Sequence, residues 1–552
     1  HQFVGGNTGI VGQVYFPDKD NFAPVIGLAW SPSFDSGIGN WLFGNENETV
    51  FRAGYRISYI NDELIRAPDN AVGGNQGLRV VANAINPNTN TTALNARIDN
   101  LPTIATPAFN PNPTFLQNNL SAGRFGTVFA VDPYLESPLV QEYSFGIQRA
   151  MPFDTVLEVR YVGTQSSNLL RGVDFNQVDI RNNGFLDDFN RARANYVLTG
   201  NPQCFPAPGC QELTVFPNLV AGGLLNNSTV RGQLLNGIPA DLAILYQTNG
   251  LAGNVQLLPN PNAGPVDVVI NGSYFRYDSL QAELRRDYKN GILIGANYTY
   301  SKNITNGVGT AQARFEPYLD FYNQGLERAR ADFDQTHKIN AIAGYQLPFG
   351  KGQRWFSDNA VADFIIGGWE MTGIFQLGSG APITITDARG TLNRAGRSGR
   401  QTAVTNLTAD ELQALTGVFV TPTGIFFLNP SVLGRNPDGT LQVGRDGRGV
   451  SGNFDVAPFA GQVFFRNAPG TSSAMSRAMF NGPTYKNLDL TLIKRFNIGE
   501  KASVRVQADL FNALNSVNFV PSQFLDVNSV NFGKITSTTS PRIVQFGARI
   551  EF

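Results

Sequence analysis

The sequence predicts an all-β protein: an antiparallel up-and-down transmembrane β-barrel with long extracellular loops. Three observations predict it. Short runs alternate apolar and polar residues with period two, so every second side chain falls on one face of a strand. In NLDLTLIKRF, Leu488, Leu490 and Leu492 share one face, opposite Asn487, Asp489 and Thr491. The connections between such runs alternate between short and long, as they do in a barrel whose two rims differ. Charged residues make up only 15% of the 552, while aromatic residues reach 11% and glycines number 58. A soluble globular protein carries about a quarter charged residues.

The strands follow in order. IVGQVYF (10–16) is a weak first candidate, followed by VIGLAW (25–30) and TVFRAGYRISYI (49–60). EYSFGIQRA (142–150) and VLEVRYVG (156–163) are parted by MPFDT, and YDSLQAELRRDY (277–288) and ILIGANYTYS (292–301) by KNG. HKINAIAGYQLPF (337–349) and GGWEMTGIFQL (367–377) come next, joined by a moderate linker. NLDLTLIKRF (487–496), VRVQADLF (504–511) and PRIVQFGARIEF (541–552) complete the series, which amounts to about eleven or twelve strands. Parity places the turns PFDT, KNG and NIGEK on one rim, the rim of Phe552. The long connections, at 61–140, 165–272, 303–336 and 386–485, are rich in Asn, Gly and Pro, which favours turns and irregular backbone. TADELQALTG (408–417), with its N-cap pattern, is the one helix expected there.

Alternation alone does not say which face is inside. A sandwich buries its apolar face, whereas a transmembrane barrel turns that face to lipid. Aromatic residues stand near the strand ends (Tyr143, Phe145, Tyr298, Tyr300, Tyr345, Trp369, Phe375), as in the girdles of a barrel. Polar faces carry opposite charges at close spacing, Glu158 with Arg160 and Glu283 with Arg285. The last strand sets Val544, Phe546, Ala548, Ile550 and Phe552 on one face and closes the ladder. The greasy side is therefore expected to meet outer-membrane lipid. By phase, the lumen-facing candidates are Glu158, Arg160, Gln281, Glu283, Arg285, Asn297, Glu370, Gln376, Asp489, Arg505, Gln507 and Asp509. Such residues hydrate a lumen or hold a plug, while substrates are more often chosen by loops.

Chemistry-bearing motifs are scarce. Cys204 and Cys210, in CFPAPGC, are expected to form a local disulfide in an oxidising compartment; two free thiols are the alternative. GRGVSG (447–452) has dinucleotide spacing but neither the preceding strand nor the following helix that would hold a phosphate. Asp332, Asp334 and His337 in ADFDQTHK could ligate a metal or exchange protons, but their place at a strand entrance favours a structural role. Asp438 and Asp446 lack EF-hand spacing. No catalytic residue, metal or cofactor is expected. A net charge of −1 without a basic stripe gives no reason to expect nucleic acid. No apolar run approaches the roughly 18 residues of a membrane-spanning helix.

ADFDQTHKINAIAGYQLPFG, GGWEMTGIFQLGSGAPITI, GPTYKNLDLTLIKRFNI, VRVQADLFNALNSVNF and RIVQFGARIEF together resemble the C-terminal barrel half of Oar-like TonB-dependent receptors. NFAPVIGLAWSP, TVFRAGYRISY and EYSFGIQRAMPFDTVLEVRYVGTQSSNLLR resemble mid-barrel strands of the same group. The resemblance implies a barrel of about 22 strands around a plug, often with an N-terminal carboxypeptidase-regulatory-like domain. It also implies TonB-driven transport across the outer membrane of a Gram-negative bacterium. About half of those strands are present, and no plug pattern or TonB-contacting box is found. Residues 1–552 are thus expected to be the C-terminal portion of such a barrel. The expected partners are membrane lipid, the missing barrel half and plug, the TonB system through that missing part, and an unidentified substrate. The alternatives are a small self-contained barrel acting as a passive pore, and a soluble or surface all-β binding or adhesion protein.

Overall fold

The computed structural model describes residues 15–45, 48–60, 85–86, 91–92, 128–261, 263–307, 316–351, 353–355, 360–392, 401–450, 458–498 and 502–552. Eleven strands form one continuous antiparallel path in which each pairs with its sequence neighbour. They are β1 (Val25–Trp30), β2 (Thr49–Tyr59), β3 (Leu139–Met151), β4 (Thr155–Asp174), β5 (Val266–Lys289) and β6 (Ile292–Thr305). After these come β7 (His337–Gln346), β8 (Trp369–Gly378), β9 (Tyr485–Ile498), β10 (Ala502–Phe511) and β11 (Ile543–Glu551). Every expected strand from 25 onward is present; residues 10–14 of IVGQVYF lie outside the described residues.

The sheet is open. Among the described residues, β1 pairs only with β2 and β11 only with β10. The count is odd, so β1 and β11 run in the same direction.

Short connections share a rim, as parity requires. Phe153 and Asp154 turn β3 into β4 with positive φ within a three-residue connection, and Asn290 and Gly291 turn β5 into β6 with positive φ as a two-residue hairpin turn. Lys289 of the second turn reaches Asp154 of the first at 2.7 Å. Ser503 of β10 stands opposite Glu551, so the β9–β10 turn lies at the same rim as the end of β11. The connections 31–48 and 347–368 also belong to this short rim. They carry two seven-residue helices, α1 (Gly37–Phe43) and α5 (Ala360–Ile366).

The long rim corrects the expectation of irregular loops. The connection 175–265 folds into a helical lobe with α2 (Phe185–Thr199), α3 (Ser228–Asn236) and α4 (Pro239–Thr248). Phe185, Phe189 and Ala192 recur at helical spacing and are fully buried with Phe216 and Tyr246. Asn227 caps α3 through the N–H of Thr229, at 2.8 Å, and Gly237 ends it in the left-handed region. Cys204 and Cys210 are joined within this lobe, with Cα atoms 5.8 Å apart. A second lobe, from 379–484 and 512–542, has its own core around Ile385, Phe426, Phe427, Phe464 and Phe532. Its helix α6 (Ala409–Ala414) is the expected one, opened by a reciprocal capping box of Thr408 and Glu411. The strands beneath are longer than expected: β4 has 20 residues and β5 has 24. A membrane needs only about ten, so their upper ends stand clear of it and support the lobes.

Candidate functional site

Register decides which side chains share a face. Arg160 stands opposite Gln281, Glu158 opposite Glu283, and Glu283 in turn opposite Asn297. Asn297 meets Asn340, Asn340 meets Gln376, and Gln376 meets Asn487. Two residues along β9, Asp489 leads through Thr491 to Asp509, and Gln507 and Arg505 fall in phase. All twelve polar candidates thus lie on one side of the sheet. The side chains are linked: Arg160 donates to Gln281 at 2.8 Å and Asn340 to Asn297 at 3.2 Å. Thr491 and Gln507 both donate to Asp509, at 2.7 and 2.8 Å. Arg160 lies 3.6 Å from Glu158. The opposite face is mainly apolar, including Val544, Phe546, Ala548 and Ile550 of β11, and is interrupted near the rims by Arg149, Asp278, His337 and Lys494.

Above this sheet the lobes are held by buried charges that the sequence pattern did not single out. Arg171, at the upper end of β4, is fully buried. It donates to the carbonyls of Asn306 and Glu316 at 2.9 and 2.8 Å, pairs with Glu327 at 3.4 Å, and lies over the Tyr318 ring. Arg477 of the second lobe reaches the same Glu327 through its carbonyl, at 2.7 Å. Asp387 is fully buried and accepts from Arg389 at 2.6 Å and from the Asn467 N–H at 2.8 Å. Burial by itself would push the Asp387 carboxyl up, but Arg389 and these N–H donors outweigh it and hold it below the usual range. Arg389 also donates to the carbonyl of Asn236 in the first lobe, at 2.6 Å. Two networks therefore do the tying: the one at Arg171 joins the upper strands to the second lobe, and the one at Asp387 joins the second lobe to the first.

Asp334 of ADFDQTHK is engaged in the structure at the strand entrance. Asp334 is buried, accepts from Arg330 at 2.7 Å, and receives the backbone N–H of Asn303 at 2.8 Å. His337 shares a hydrogen bond of 2.9 Å with Tyr298 on the apolar face. Asp438 is occupied by the Thr440 hydroxyl and N–H, and Asp446 pairs with Arg448. Among the described residues no three acidic, His or Cys side chains gather as a metal site. Residues 451–452 of GRGVSG lie outside the described residues. Two clefts border the sheet. One of about 90 Å3 lies at the long rim, lined by Asp174, Arg181, Asp320 and Tyr322. The other, of about 700 Å3, lies at the short rim between Glu370, Arg495 and Phe364.

An open sheet with one polar and one apolar face, and loops that differ so sharply between rims, is membrane-barrel architecture. The family model described as Outer membrane beta barrel domain matches residues 2–545. This chain belongs to that family. It is a protein of the Gram-negative outer membrane, and its short rim is therefore the periplasmic one. Among solved structures it is similar to the outer membrane transporter YddB from Escherichia coli, at 8% identity and TM-score 0.36, covering 91% of this chain and 38% of that one. The ferripyoverdine receptor of Pseudomonas aeruginosa matches at 9% identity and TM-score 0.34, over 96% of this chain and 33% of that one. The siderophore receptor PirA from Acinetobacter baumannii matches at 9% identity and TM-score 0.35, over 96% and 41%. The chain thus spans between a third and about two-fifths of the length of these structures. No curated protein matches the sequence.

Proposed function

We propose that this chain is the C-terminal portion of the barrel of a TonB-dependent outer-membrane receptor of the Oar-like kind. In this reading the face of Arg160, Gln281, Glu370 and Asp509 lines the lumen, and the two outer lobes meet the substrate. The observation that carries the reading is that, among the described residues, β1 and β11 each leave one edge of the sheet without a partner strand. Unpaired backbone groups in hydrocarbon cost several kcal/mol each, so β1 and β11 require partner strands. A wider cylinder completed by further strands supplies them and encloses a polar lumen with room for a plug. Energy coupling then runs from the TonB system through that plug. The expected behaviour of the natural-length protein in a planar bilayer is no steady conductance, with channels opening when urea unfolds the plug. Steady open steps without urea would favour a passive pore instead.

A further inference from the structure

We propose that α1 and α5 are interfacial anchors whose exposed faces lie in the inner leaflet of the outer membrane, so that the periplasmic rim grips its phospholipid. This rests on the family assignment of the sheet to the outer membrane; it does not depend on transport.

The two helices are built alike, although some 320 residues separate them. In α1, Ile38, Trp41 and Leu42 stand at i, i+3 and i+4. In α5, Val361, Phe364 and Ile365 stand at the same spacing, which is one face of a helix. All six are exposed, between 42% and 77%. A soluble connection would bury such a stripe or would not carry it.

Contacts place both helices on the apolar side of the sheet. Phe43 of α1 packs against Phe51 of β2, with ring centroids 5.8 Å apart, and Phe51 also stacks on Trp30. Phe364 of α5 packs against Phe496 of β9 at 5.2 Å. Register puts Phe51 and Phe496 on the face of Phe145 and Val504, the face that meets lipid. The exposed stripes therefore continue an apolar surface that is already lipid-facing.

The same device holds each helix. A basic side chain from the lipid-facing side of a neighbouring strand donates to carbonyls at the end of the helix, where the backbone dipole is negative. Arg149 of β3 donates to the carbonyls of Trp41 and Leu42. Lys494 of β9 donates to those of Asp363 and Gly367, and Trp369 donates its indole N–H to Ile365 at 3.0 Å. Each cation thereby finds hydrogen-bond acceptors next to hydrocarbon, and the carbonyls of Asp363 and Ile365 in α5 and of Gly367 just after it are satisfied without water. The side-chain oxygen of Asp363 is turned back to the Lys351 N–H, away from the exposed stripe.

Tryptophan placement agrees. The chain has four tryptophans. Trp30 ends β1, Trp41 lies in α1, Trp355 lies in the connection that carries α5, and Trp369 opens β8. All four sit at the periplasmic rim. Tryptophan prefers the membrane–water interface, and an amphipathic helix lies in that plane with its apolar face among the acyl chains.

Cys204 and Cys210 are already joined, so single cysteines introduced for labelling remain distinct once any cysteine outside residues 1–552 is replaced by serine. Trp41→Cys, Phe364→Cys and, as an aqueous control at the same rim, Asp154→Cys would each be spin-labelled in the natural-length protein, reconstituted in phospholipid vesicles. Heat-modifiable gel mobility confirms that each variant is folded. The expected result is that labels at 41 and 364 collide several-fold more with oxygen than with a water-soluble nickel chelate, while the label at 154 shows the reverse. Preferential access of nickel at 41 and 364 would overturn the proposal. So would exclusion of both reagents, which would mean that protein rather than lipid covers the helices. Quenching of Trp41 by brominated phospholipid, with every other tryptophan of the natural-length protein replaced by phenylalanine, should be strongest for bromines near the headgroup. No quenching would also overturn it.

Discussion

At Arg171 a guanidinium is fully buried, and its energetics depend on what is left behind when it is removed. Arg171→Met strands Glu327, whose remaining ion-pair partner, Arg477, lies 3.8 Å away. Breaking one side of a buried pair costs about 3–5 kcal/mol. The double variant Arg171→Met/Glu327→Gln should recover part of that, because the carboxylate left behind by Arg171 is removed while the Glu327 carbonyl still accepts from Arg477 at 2.7 Å. Thermal unfolding of the four proteins of this cycle measures both expectations. Asp387 adds a pH dependence. Its folded carboxyl lies below the ordinary value of about 3.9. Its contribution is thus fully present above about pH 4 and lost as pH falls through the folded value. Protease resistance of the second lobe should hold from neutral pH down to that range and then fall. Asp387→Asn should weaken the lobe at neutral pH and flatten the fall. Neither network was legible in the sequence. Arg171 and Glu327, or Asp387 and Asn467, are brought together from 156 and 80 positions apart by the fold. The twelve polar-face residues were legible, because strand phase is local and needs no partner to be known.

Among the elements, β3 to β11 could be read because period-two alternation in short runs leaves little room for a helix. Their bounds were set too short. The upper ends of β4 and β5 lose alternation where both faces are covered, as at Leu170 to Asp174, all five of which are buried. The helices α2 to α4 were missed for a different reason. α2 carries Asp188 and Asn195 in its buried face, and polar residues there mask the apolar period. Asp188 is used as a clasp, accepting the backbone N–H groups of Thr214, Val215 and Phe216 at 2.8 Å each. The spacing of Phe185, Phe189 and Ala192 was the signal available. Within this lobe the disulfide closes a short loop away from the buried cluster around Phe216. Replacing both cysteines with serine should cost roughly 2 kcal/mol in the loop-entropy account and leave the lobe folded. Mass spectrometry of the unreduced protein should show one bridge and no alkylated thiol. The anchors make a matching test at this scale. Arg149→Ala removes the clasp of α1, and Lys494→Ala that of α5. Periplasmic protease should then cut 31–48 in the first variant and 347–368 in the second, each faster than in the parent protein.

For the whole molecule the deciding feature is strand direction. Neighbours across all ten ladders of the path are antiparallel. With eleven strands, β1 and β11 both run toward the periplasmic rim, so joining them directly would make a parallel pair. A second copy does not solve this. Two copies inserted with the same orientation present edges that all run the same way, and every edge-to-edge contact between them is parallel as well. Bacterial single-chain barrels are antiparallel throughout and have even strand numbers. In the receptor reading an odd number of other strands therefore stands between β1 and β11, and eleven more would make the 22-stranded cylinder that the sequence resemblance implies. Crosslinking distinguishes the three closures. Gly27 of β1 and Gly547 of β11 lie on the same polar face, and a Cβ at either would meet nothing within 4 Å. Gly27→Cys/Gly547→Cys in the natural-length protein, treated with a short bis-maleimide in the membrane, should give no crosslink between these positions. An intramolecular bridge would mean that the eleven strands close on themselves as a small pore. An intermolecular bridge would mean that two copies share the edges. Either would remove the need for further strands on which the receptor reading depends.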